Sequence, residues 1–393
     1  MLYRYCVDNN LPLLINVPST SLCEQLLSDF KDYVSDDHDV DKYVATLYGG
    51  QDKETTKPVI ISTWQTCSNM PGEWFKKFKF YIVDEAHGSS AKELSAIIDH
   101  LNNCPYRIGM TGTLNGSNIH EIEMHARFGE IFKMVTTREL IDRGIVTDID
   151  IKCVRLLHDK QEIDRFHGFC KNDYQREIDY LLNSAERNDY IINLALGLDT
   201  TTLMLFNRIE GHGMKLLDMI QEKSVEYKKK VFYIAGSVKT KQREQIRKQL
   251  DGELPDFHIV KFADGRTATF DGEFVTYEQL LAYRGKTLDI ESFDPSHIFV
   301  QPGSESFVVS DIETVKGCYI LLASYGTLAV GVNIRNLHNL IFCHPFKGRI
   351  LNLQSIGRIL RKSNSKNIVY LYDLCDDYRK GKKVNHTYKH ATA

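Results

Sequence analysis

The chain lacks the sequence features of membrane and secreted proteins. Among its 393 residues, no apolar run approaches the roughly 20 residues that a membrane-spanning helix needs, and the N-terminus has no signal-peptide pattern. The nine cysteines include no C-x-x-C pair and no Cys/His cluster at zinc spacing. We therefore expect reduced thiols, no disulfide and no structural metal, in a protein that works in the cytoplasm.

The chain also lacks a strong net charge and a disordered composition. Its formal charge is -3, so a nucleic-acid partner would have to bind through local basic patches. Hydrophobic residues make up 42% of the chain and aromatic residues 10%, which is enough for buried cores and excludes intrinsic disorder. The length predicts two core domains with additional structure.

Short apolar runs alternate with helical patterns, which is typical of parallel α/β sheets covered by helices. The predicted strands are 13–17, 59–62, 80–83 and 107–110 in the first half and 202–206, 230–234, 319–323 and 340–343 in the second. A charged helical stretch, 161–198, lies between the two series. The sequence thus predicts two tandem α/β domains, residues 1–148 and 149–393.

Residues 251–316 interrupt the second α/β domain with a segment of different composition. Helix signals thin, Gly, Asp and Pro recur, and 261–269 together with 273–276 predict a β-hairpin. We interpret the segment as a β-rich surface insertion, since long loops add little closure entropy, and assign it no activity. The basic run from Arg379 to Lys383 is interpreted as a solvated tail.

One apolar strand, 80–83, ends in two adjacent carboxylates. Asp84, Glu85, Ala86 and His87 follow it, and ligands of open α/β sheets bind at the carboxyl ends of the strands. In a nucleotide hydrolase, Asp84 would hold a hydrated Mg²⁺ while Glu85 orients and deprotonates the attacking water. The alternative is a strand that ends in an ordinary polar turn, with His87 as a structural histidine.

A second candidate is the segment from Gln354 to Arg361, which carries two arginines three residues apart. The spacing predicts that Arg358 and Arg361 share one helical face. Their planar guanidinium groups suit phosphate oxygens, and an arginine that reaches a γ-phosphate can raise a hydrolysis rate by about 10³ to 10⁵. The alternative is a solvent-facing basic helix end.

These two segments belong to an ordered series of motifs that resembles superfamily 2 helicases of the DEAH type. In chain order the series consists of Val17-Pro18-Ser19-Thr20, Gly49-Gly50, Ser62-Thr63-Trp64-Gln65, residues 84–87, Thr111-Gly112-Thr113, Phe206-Asn207-Arg208, Ala323-Ser324-Tyr325-Gly326, Gly331-Val332-Asn333 and residues 354–361. The runs 129–133, 136–140, 323–326 and 353–358 further resemble the UvsW family of phage recombination and repair helicases.

The resemblance implies two RecA-like domains that use ATP and Mg²⁺ to remodel branched DNA or RNA–DNA hybrids in the cytoplasm of a bacterial host. It assigns catalysis to Asp84, which also binds the metal, and to Glu85, His87, Gln354, Arg358 and Arg361. Nucleotide binding falls on Gly331 and Asn333, and coupling of hydrolysis to strand grip on Thr111, Gly112 and Thr113. The implied nucleic-acid contacts are Pro18, Ser19, Thr20, Gly49, Gly50, Thr63, Trp64, Gln65, Asn207 and Ser324. For any one contact, turn or cap chemistry is an equal alternative, and Trp64 is also a core candidate.

The phosphate-binding loop of the form G-x-x-x-x-G-K-[ST], which such motors need, is absent from the sequence. The only Gly-Lys-Thr, residues 285–287, has Leu280 at the position of the first glycine and lies in the insertion. In the family the loop would fall just before Met1, so the chain resembles a member trimmed at its ends. We therefore expect these 393 residues alone to hydrolyse ATP poorly.

Two explanations of the missing loop remain open. One is an incomplete or split gene, with a separate N-terminal piece that carries the loop. The other is a degenerate motor that only binds nucleic acid. The intact carboxylate and arginine motifs favour the first. A third reading, the motor part of a restriction or RNA-processing enzyme, has no nuclease motif to support it.

Overall fold

The computed structural model describes most of the chain. The described residues are 2–34, 38–49, 55–88, 92–112, 118–224, 226–227, 229–236, 238, 240–253, 257–272, 274–293, 298–300, 307–315, 319–329, 334–345, 349–363, 366–381 and 383–391. They divide into two compact units, Met1–Thr136 and Thr137–Ala393. Within the described part, no helix is long and apolar enough to cross a bilayer.

The first unit is a five-stranded parallel sheet covered by helices. Its elements are α1 Leu2–Asp8, β1 Leu13–Val17, α2 Thr20–Tyr33, α3 Val40–Tyr43, β2 Val44–Leu47, β3 Val59–Thr63, α4 Trp64–Cys67, α5 Gly72–Phe75, β4 Phe80–Val83, α6 Lys92–His100, β5 Tyr106–Gly109 and α7 Asn118–Phe128. The strand order is β2-β3-β1-β4-β5. In the central strand β1, Leu13 and Ile15 pack on one face of the sheet and Leu14 on the other. Both faces are therefore buried, which explains the continuous apolar run of this strand.

The second unit contains a six-stranded parallel sheet and a smaller antiparallel one. Its elements are α8 Thr137–Asp142, β6 Asp148–Leu157, α9 Lys160–Cys170, α10 Tyr174–Asn183, α11 Ala185–Gly197, β7 Thr202–Phe206, α12 Met214–Ser224, β8 Lys230–Ile234, α13 Thr240–Leu250, β9 Phe257–Phe262, β10 Thr267–Asp271, α14 Tyr277–Leu281, β11 Ile298–Val300, β12 Val309–Val315, β13 Tyr319–Ser324, α15 Tyr325–Ala329, β14 Asn339–Phe342, α16 Arg349–Ile359, β15 Ile368–Asp377 and α17 His386–Ala391. The parallel sheet has the order β6-β15-β14-β7-β13-β8.

The antiparallel sheet is the predicted insertion. Its strand order is β11-β10-β9-β12, and it encloses a core of its own that includes Val260, Phe270 and Leu280. Phe257 and Ile259 instead join the core of the parallel sheet. The insertion is thus a separate β-layer that is attached through one end of β9.

The hairpin inside the insertion turns earlier than predicted. Strands β9 and β10 pair on either side of Asp264 and Gly265, and Gly265 has φ +86°, a conformation that glycine adopts without strain. Thr276 does not belong to a strand, because its side chain and Gln279 form a capping box at the start of α14. The Asp-Gly pair was the turn signal that the sequence prediction overlooked.

The two predicted parallel sheets and the β-rich insertion are confirmed, while the division between the units falls upstream of the predicted boundary at Asp148. The segment before Asp148 is tied to the second unit, since Val146 forms an antiparallel bridge with Arg361 and the Thr147 amide donates to the Leu360 carbonyl at 2.8 Å. Such long-range bonds leave no local trace in the sequence. The assignment of these units as functional domains stays a prediction.

Candidate active site

The carboxyl ends of the first unit's five parallel strands lie along one edge of its sheet. Each of these ends carries residues that the sequence analysis singled out. β1 leads to residues 18–20, β2 to Gly49, β3 to residues 63–65, β4 to residues 84–87 and β5 to residues 111–112. The fold thus collects the candidate residues of this unit at the edge where α/β sheets bind ligands.

Asp84 and Glu85 form a tight turn directly after β4. The Asp84 amide donates to the Asn16 carbonyl of β1 at 2.9 Å, and Asp84 Oδ1 accepts from the Glu85 amide at 2.9 Å. Glu85 has φ +52°, a left-handed conformation that non-glycine residues rarely adopt and that concentrates at functional sites. The strain supports a functional reading of the turn over an ordinary polar one.

His87 links the acidic turn to the end of β5. Its Nδ1 lies 3.0 Å from Thr111 Oγ1 and 3.2 Å from Glu85 Oε2. Glu85 Oε2 is buried, and among the described residues it has no partner with hydrogen-bond geometry. One ring nitrogen carries one proton, so it can donate to only one of these two oxygens at a time. The arrangement connects the carboxylate to the predicted coupling residue Thr111.

The Asp84 carboxyl is partly buried, which disfavours its charged form unless a cation is bound beside it. Burial raises its pKa above the usual value, although the Glu85 amide opposes the shift, so the ionised form is poorly compensated. A divalent cation would supply the missing charge, and carboxylate oxygens with water are what Mg²⁺ prefers. The carboxylates of Asp84 and Glu85 therefore fit a hydrated Mg²⁺, which would polarise a phosphoryl group and help to neutralise charge on it.

The implied strand contacts of the first unit mostly perform cap and turn chemistry. Ser19 Oγ accepts from the Leu22 amide at 3.3 Å and caps α2, while Thr63 Oγ1 donates to Thr66 Oγ1 at 2.9 Å at the start of α4. Trp64 is partly buried against the core of this unit. The remaining implied contacts differ in exposure: Pro18 is half-buried, and Thr20, Gly49 and Gln65 are exposed.

Asn207 and Ser324 follow neighbouring strands of the second unit, β7 and β13. Asn207 is exposed. Ser324 is buried, and its hydroxyl lies 2.7 Å from Thr327 Oγ1 in the turn that begins α15. Of these two implied contacts, only Asn207 presents its side chain to solvent.

The arginine segment differs from its prediction in one respect. Gln354 and Arg358 lie in α16 and are half-buried, but α16 ends at Ile359. Arg361 instead forms the antiparallel bridge with Val146. The predicted common helical face for Arg358 and Arg361 is therefore wrong, because pairing with residue 146 replaces the last helical turn. Their roles toward phosphate stay predictions.

Four of the candidate residues lie outside the described part of the chain. They are Gly50, Thr113, Gly331 and Asn333. Gly112 is described and exposed beside Thr111.

Sequence reasoning missed a buried charged cluster at the corresponding edge of the second unit. Arg187 of α11 donates through Nε to both Asp376 oxygens, at 3.1 and 2.9 Å, and through Nη1 to the Cys343 carbonyl at 2.8 Å. Both side chains are fully buried. Burial by itself would raise the pKa of Asp376, but the Arg187 charge together with hydrogen bonds from His158 and Arg187 outweighs this and lowers the pKa. The partners are far apart in the chain, so no local pattern could have revealed them.

Two buried histidines complete this cluster. Burial lowers the pKa of His212 to about 2 and that of His344 to about 4, and in both cases the Arg187 charge adds to the effect. His212 Nε2 lies 3.2 Å from Asn188 Oδ1, which makes Nε2 the protonated nitrogen. Both rings are therefore neutral near pH 7. They pack around the ion pair and have no charge to offer a ligand.

Comparison with known proteins shows that the chain is similar to one protein family and to one phage helicase. Residues 3–116 match the family described as the type III restriction enzyme, res subunit. Over 381 residues, or 96% of the chain, the sequence is 31% identical to the ATP-dependent DNA helicase uvsW of Enterobacteria phage T4. The resemblance to UvsW-type helicases is confirmed. The chain spans 62% of the length of that relative.

Solved structures extend the comparison to the fold. The crystal structure of T4 UvsW is 27% identical, with 100% of this chain and 66% of that one covered, at a TM-score of 0.40. The type ISP restriction-modification enzyme LlaBIII, solved bound to DNA, matches 96% of this chain and 25% of its own at a TM-score of 0.56 and 17% identity. The second likeness supports the two-sheet α/β fold.

Proposed function

We propose that this chain forms the body of an ATP-dependent DNA helicase or translocase of the UvsW type. Its task would be to remodel branched DNA or RNA–DNA hybrids during phage replication, recombination and repair in the host cytoplasm. The observation that carries the proposal is the turn after β4, where a desolvated Asp84 and a strained Glu85 stand at the ligand-binding edge of a parallel sheet. The relative that matches 96% of the chain is named as such a helicase.

In the proposed reaction the residues have separate tasks. Asp84 would hold a hydrated Mg²⁺ that neutralises charge on the phosphates of ATP, and Glu85 would orient the attacking water and accept its proton. His87 and Thr111 would couple ATP hydrolysis at this turn to the residues that bind the nucleic-acid strand. Gln354, Arg358 and Arg361 would contact the phosphates of ATP. Gly331 and Asn333 are proposed to face the nucleotide, and a separate N-terminal piece is proposed to supply the phosphate-binding loop.

Two alternatives are weaker. A restriction-enzyme motor is favoured by a match to residues 3–116 and by a likeness of fold to LlaBIII at 17% identity, whereas the 31% identity to the T4 helicase runs through both units. A motor that only binds nucleic acid would not need a strained Glu85 backbone at this edge of the sheet. Keeping such a turn costs stability, of the order of 1–3 kcal/mol for the strained backbone.

The proposal is tested by measuring DNA binding and ATP hydrolysis with these 393 residues. Fluorescence anisotropy with a labelled single-stranded oligonucleotide is expected to show salt-sensitive binding. Because the loop that grips the phosphates is absent from this sequence, ATP hydrolysis with DNA is expected to stay near background. Absence of DNA binding would contradict the proposal. Strong DNA-stimulated hydrolysis, abolished by Glu85→Gln, would contradict only the expected weak activity.

A further inference from the structure

A cleft of about 300 Å³ lies at the carboxyl ends of β6 and β15, and none of the candidate site residues lines it. Its lining is Arg155, Leu157, His158, Ile163, Asp377, Arg379 and Gly381. The cleft is rich in cationic side chains, and nothing in the proposed function so far uses it.

The register of the sheet shows where the cleft stands on the ligand-binding edge. Leu205, Phe342 and Asp373 lie side by side in β7, β14 and β15. Asp377 is four residues further along β15 and is paired with Leu157. At about 3.3 Å per residue, the end of β15 at Asp377 lies roughly 13 Å beyond Asp373 along the strand. Across the sheet, β15 and β6 lie two and three strands away from β7, at about 4.8 Å per strand. The cleft therefore lies beside the edge on which Asn207 is exposed.

Two arginines share a single buried carboxylate in the cleft. Arg155 contacts Asp377 through Nε at 2.7 Å and Nη2 at 2.6 Å, and Arg379 through Nε at 2.9 Å and Nη2 at 2.8 Å. The side chain of Asp377 is 5% exposed, whereas those of Arg155 and Arg379 are 51% and 39% exposed. Asp377 neutralises one of the two positive charges, and its hydrogen bonds hold both guanidinium groups in place. Among the described residues, the Nη1 donors of both arginines have no recorded acceptor, so they can donate to a ligand.

The walls of the cleft are ordered before any ligand binds. The His158 ring stacks on Tyr378 at 3.9 Å, and Tyr378 stacks on Phe166 at 4.0 Å. The Arg379 guanidinium lies 4.5 Å above the Tyr388 ring. Side chains held by packing in this way lose little entropy when they bind.

The basic run that begins at Arg379 is part of this wall. Lys380 and Lys383 exchange backbone hydrogen bonds of 3.0 Å, and Gly381 between them has φ +59°. The described residues of the run are solvent-exposed as expected, but they form a turn and not a tail. The bridge folds it into a turn whose glycine lines the cleft, which leaves room beside the arginines.

We propose that this cleft binds a backbone phosphate of the nucleic-acid strand and extends the strand-binding edge of the second unit beyond Asn207. The inference rests on the proposed function, because it needs a strand on that edge. Half-exposed guanidinium groups with a net positive charge, preset geometry and free Nη donors suit a phosphate diester.

The test is the salt dependence of binding to a labelled single-stranded oligonucleotide. Arg155→Ala and Arg379→Ala are each expected to weaken binding severalfold and to reduce the slope of log K against log salt by about 0.7, the value for one lost phosphate contact. Arg379→Lys should keep most of the slope because it keeps the charge. Asp377→Asn should steepen the slope, since it frees both arginine forks. Arg165→Ala is the matched control, because Arg165 is 71% exposed on α9 outside the cleft, and it should leave the slope unchanged.

The outcomes separate the possibilities. If the wild-type chain binds no DNA, the proposed function fails. If it binds and all cleft variants keep its slope while their thermal unfolding changes, the arginines are only structural and the cleft inference fails. Inorganic phosphate is the probe for the other source of this chemistry. Stabilisation of the wild-type chain by phosphate that Arg379→Ala removes, with unchanged DNA slopes, would assign the cleft to a free anion and overturn the proposal.

Discussion

The ligand-binding edges of the two parallel sheets are built in opposite ways. In the first unit, Asp84 and Glu85 are half-buried, with a raised Asp84 pKa and a buried Glu85 oxygen that has no described hydrogen-bond partner. In the second unit, Arg187 and Asp376 are fully buried and form an ion pair at 2.9 Å, although Arg187 Nη2 has no hydrogen-bond partner among the described residues. A buried charge that is paired with an opposite charge supports the fold. A partly buried charge without an opposite charge is a candidate for binding a ligand.

This difference predicts opposite effects of removing a charge at the two edges. The largest effect is expected for Arg187→Met, which leaves Asp376 buried and unpaired and should lower the free energy of unfolding of the second unit by about 3–5 kcal/mol. Urea unfolding monitored by circular dichroism would measure it. The double variant Arg187→Met/Asp376→Leu should recover much of the loss, because no charge is then stranded.

The matched control is Arg165→Ala, which removes an exposed ion pair and should change the free energy by less than about 1 kcal/mol. An Arg187→Met loss no larger than that of this control would remove the contrast between the two edges.

A smaller effect of opposite sign is expected for Asp84→Asn in the first unit. The folded-state pKa of Asp84 is raised, so the folded protein binds this proton more tightly than the unfolded chain does. The ionised carboxylate therefore destabilises the fold above its unfolded pKa. The asparagine should raise the free energy of unfolding near pH 7 by on the order of 0.5–2 kcal/mol.

The gain should disappear as the pH falls below about 4, where the carboxyl of the unfolded chain is protonated as well. Thermal unfolding at several pH values measures this dependence. Asp99→Asn is the control, because Asp99 is exposed on α6 of the same unit. A destabilised Asp84→Asn variant at pH 7 would show that the carboxylate is a structural group after all.

Much of the fold was predictable from the sequence because buried parallel strands are continuous apolar runs. The buried strands β1, β4 and β7 coincide with their predicted bounds, and so does the half-buried edge strand β8. Strand β6 was missed because it is an edge strand whose alternating charged residues are largely exposed. Periodicity identifies a strand only where burial imposes it.

The candidate site was predictable in part for a related reason. Asp84 and Glu85 follow a strand directly, so the topology places them at the sheet edge. The Arg187–Asp376 pair and the Arg155–Asp377 cleft join residues from opposite ends of the second unit. The Arg155–Asp377 contact exists because β6 pairs with β15, and the Arg187–Asp376 contact exists because α11 packs near the end of β15. Sequence order carries no signal for such contacts.

The most direct test of the central claim supplies the missing phosphate-binding loop. A chimaera would carry the strand, loop and helix start of a UvsW-type helicase ahead of residue 2, and ATP hydrolysis would be measured with and without single-stranded DNA. The account predicts DNA-stimulated hydrolysis that Glu85→Gln lowers by about 10² to 10⁴, whereas Glu93→Gln, on the exposed side of α6, leaves it unchanged. A folded, DNA-binding chimaera without stimulated hydrolysis, or one whose hydrolysis survives Glu85→Gln, would contradict the claim that Asp84 and Glu85 are the acidic half of an ATPase site.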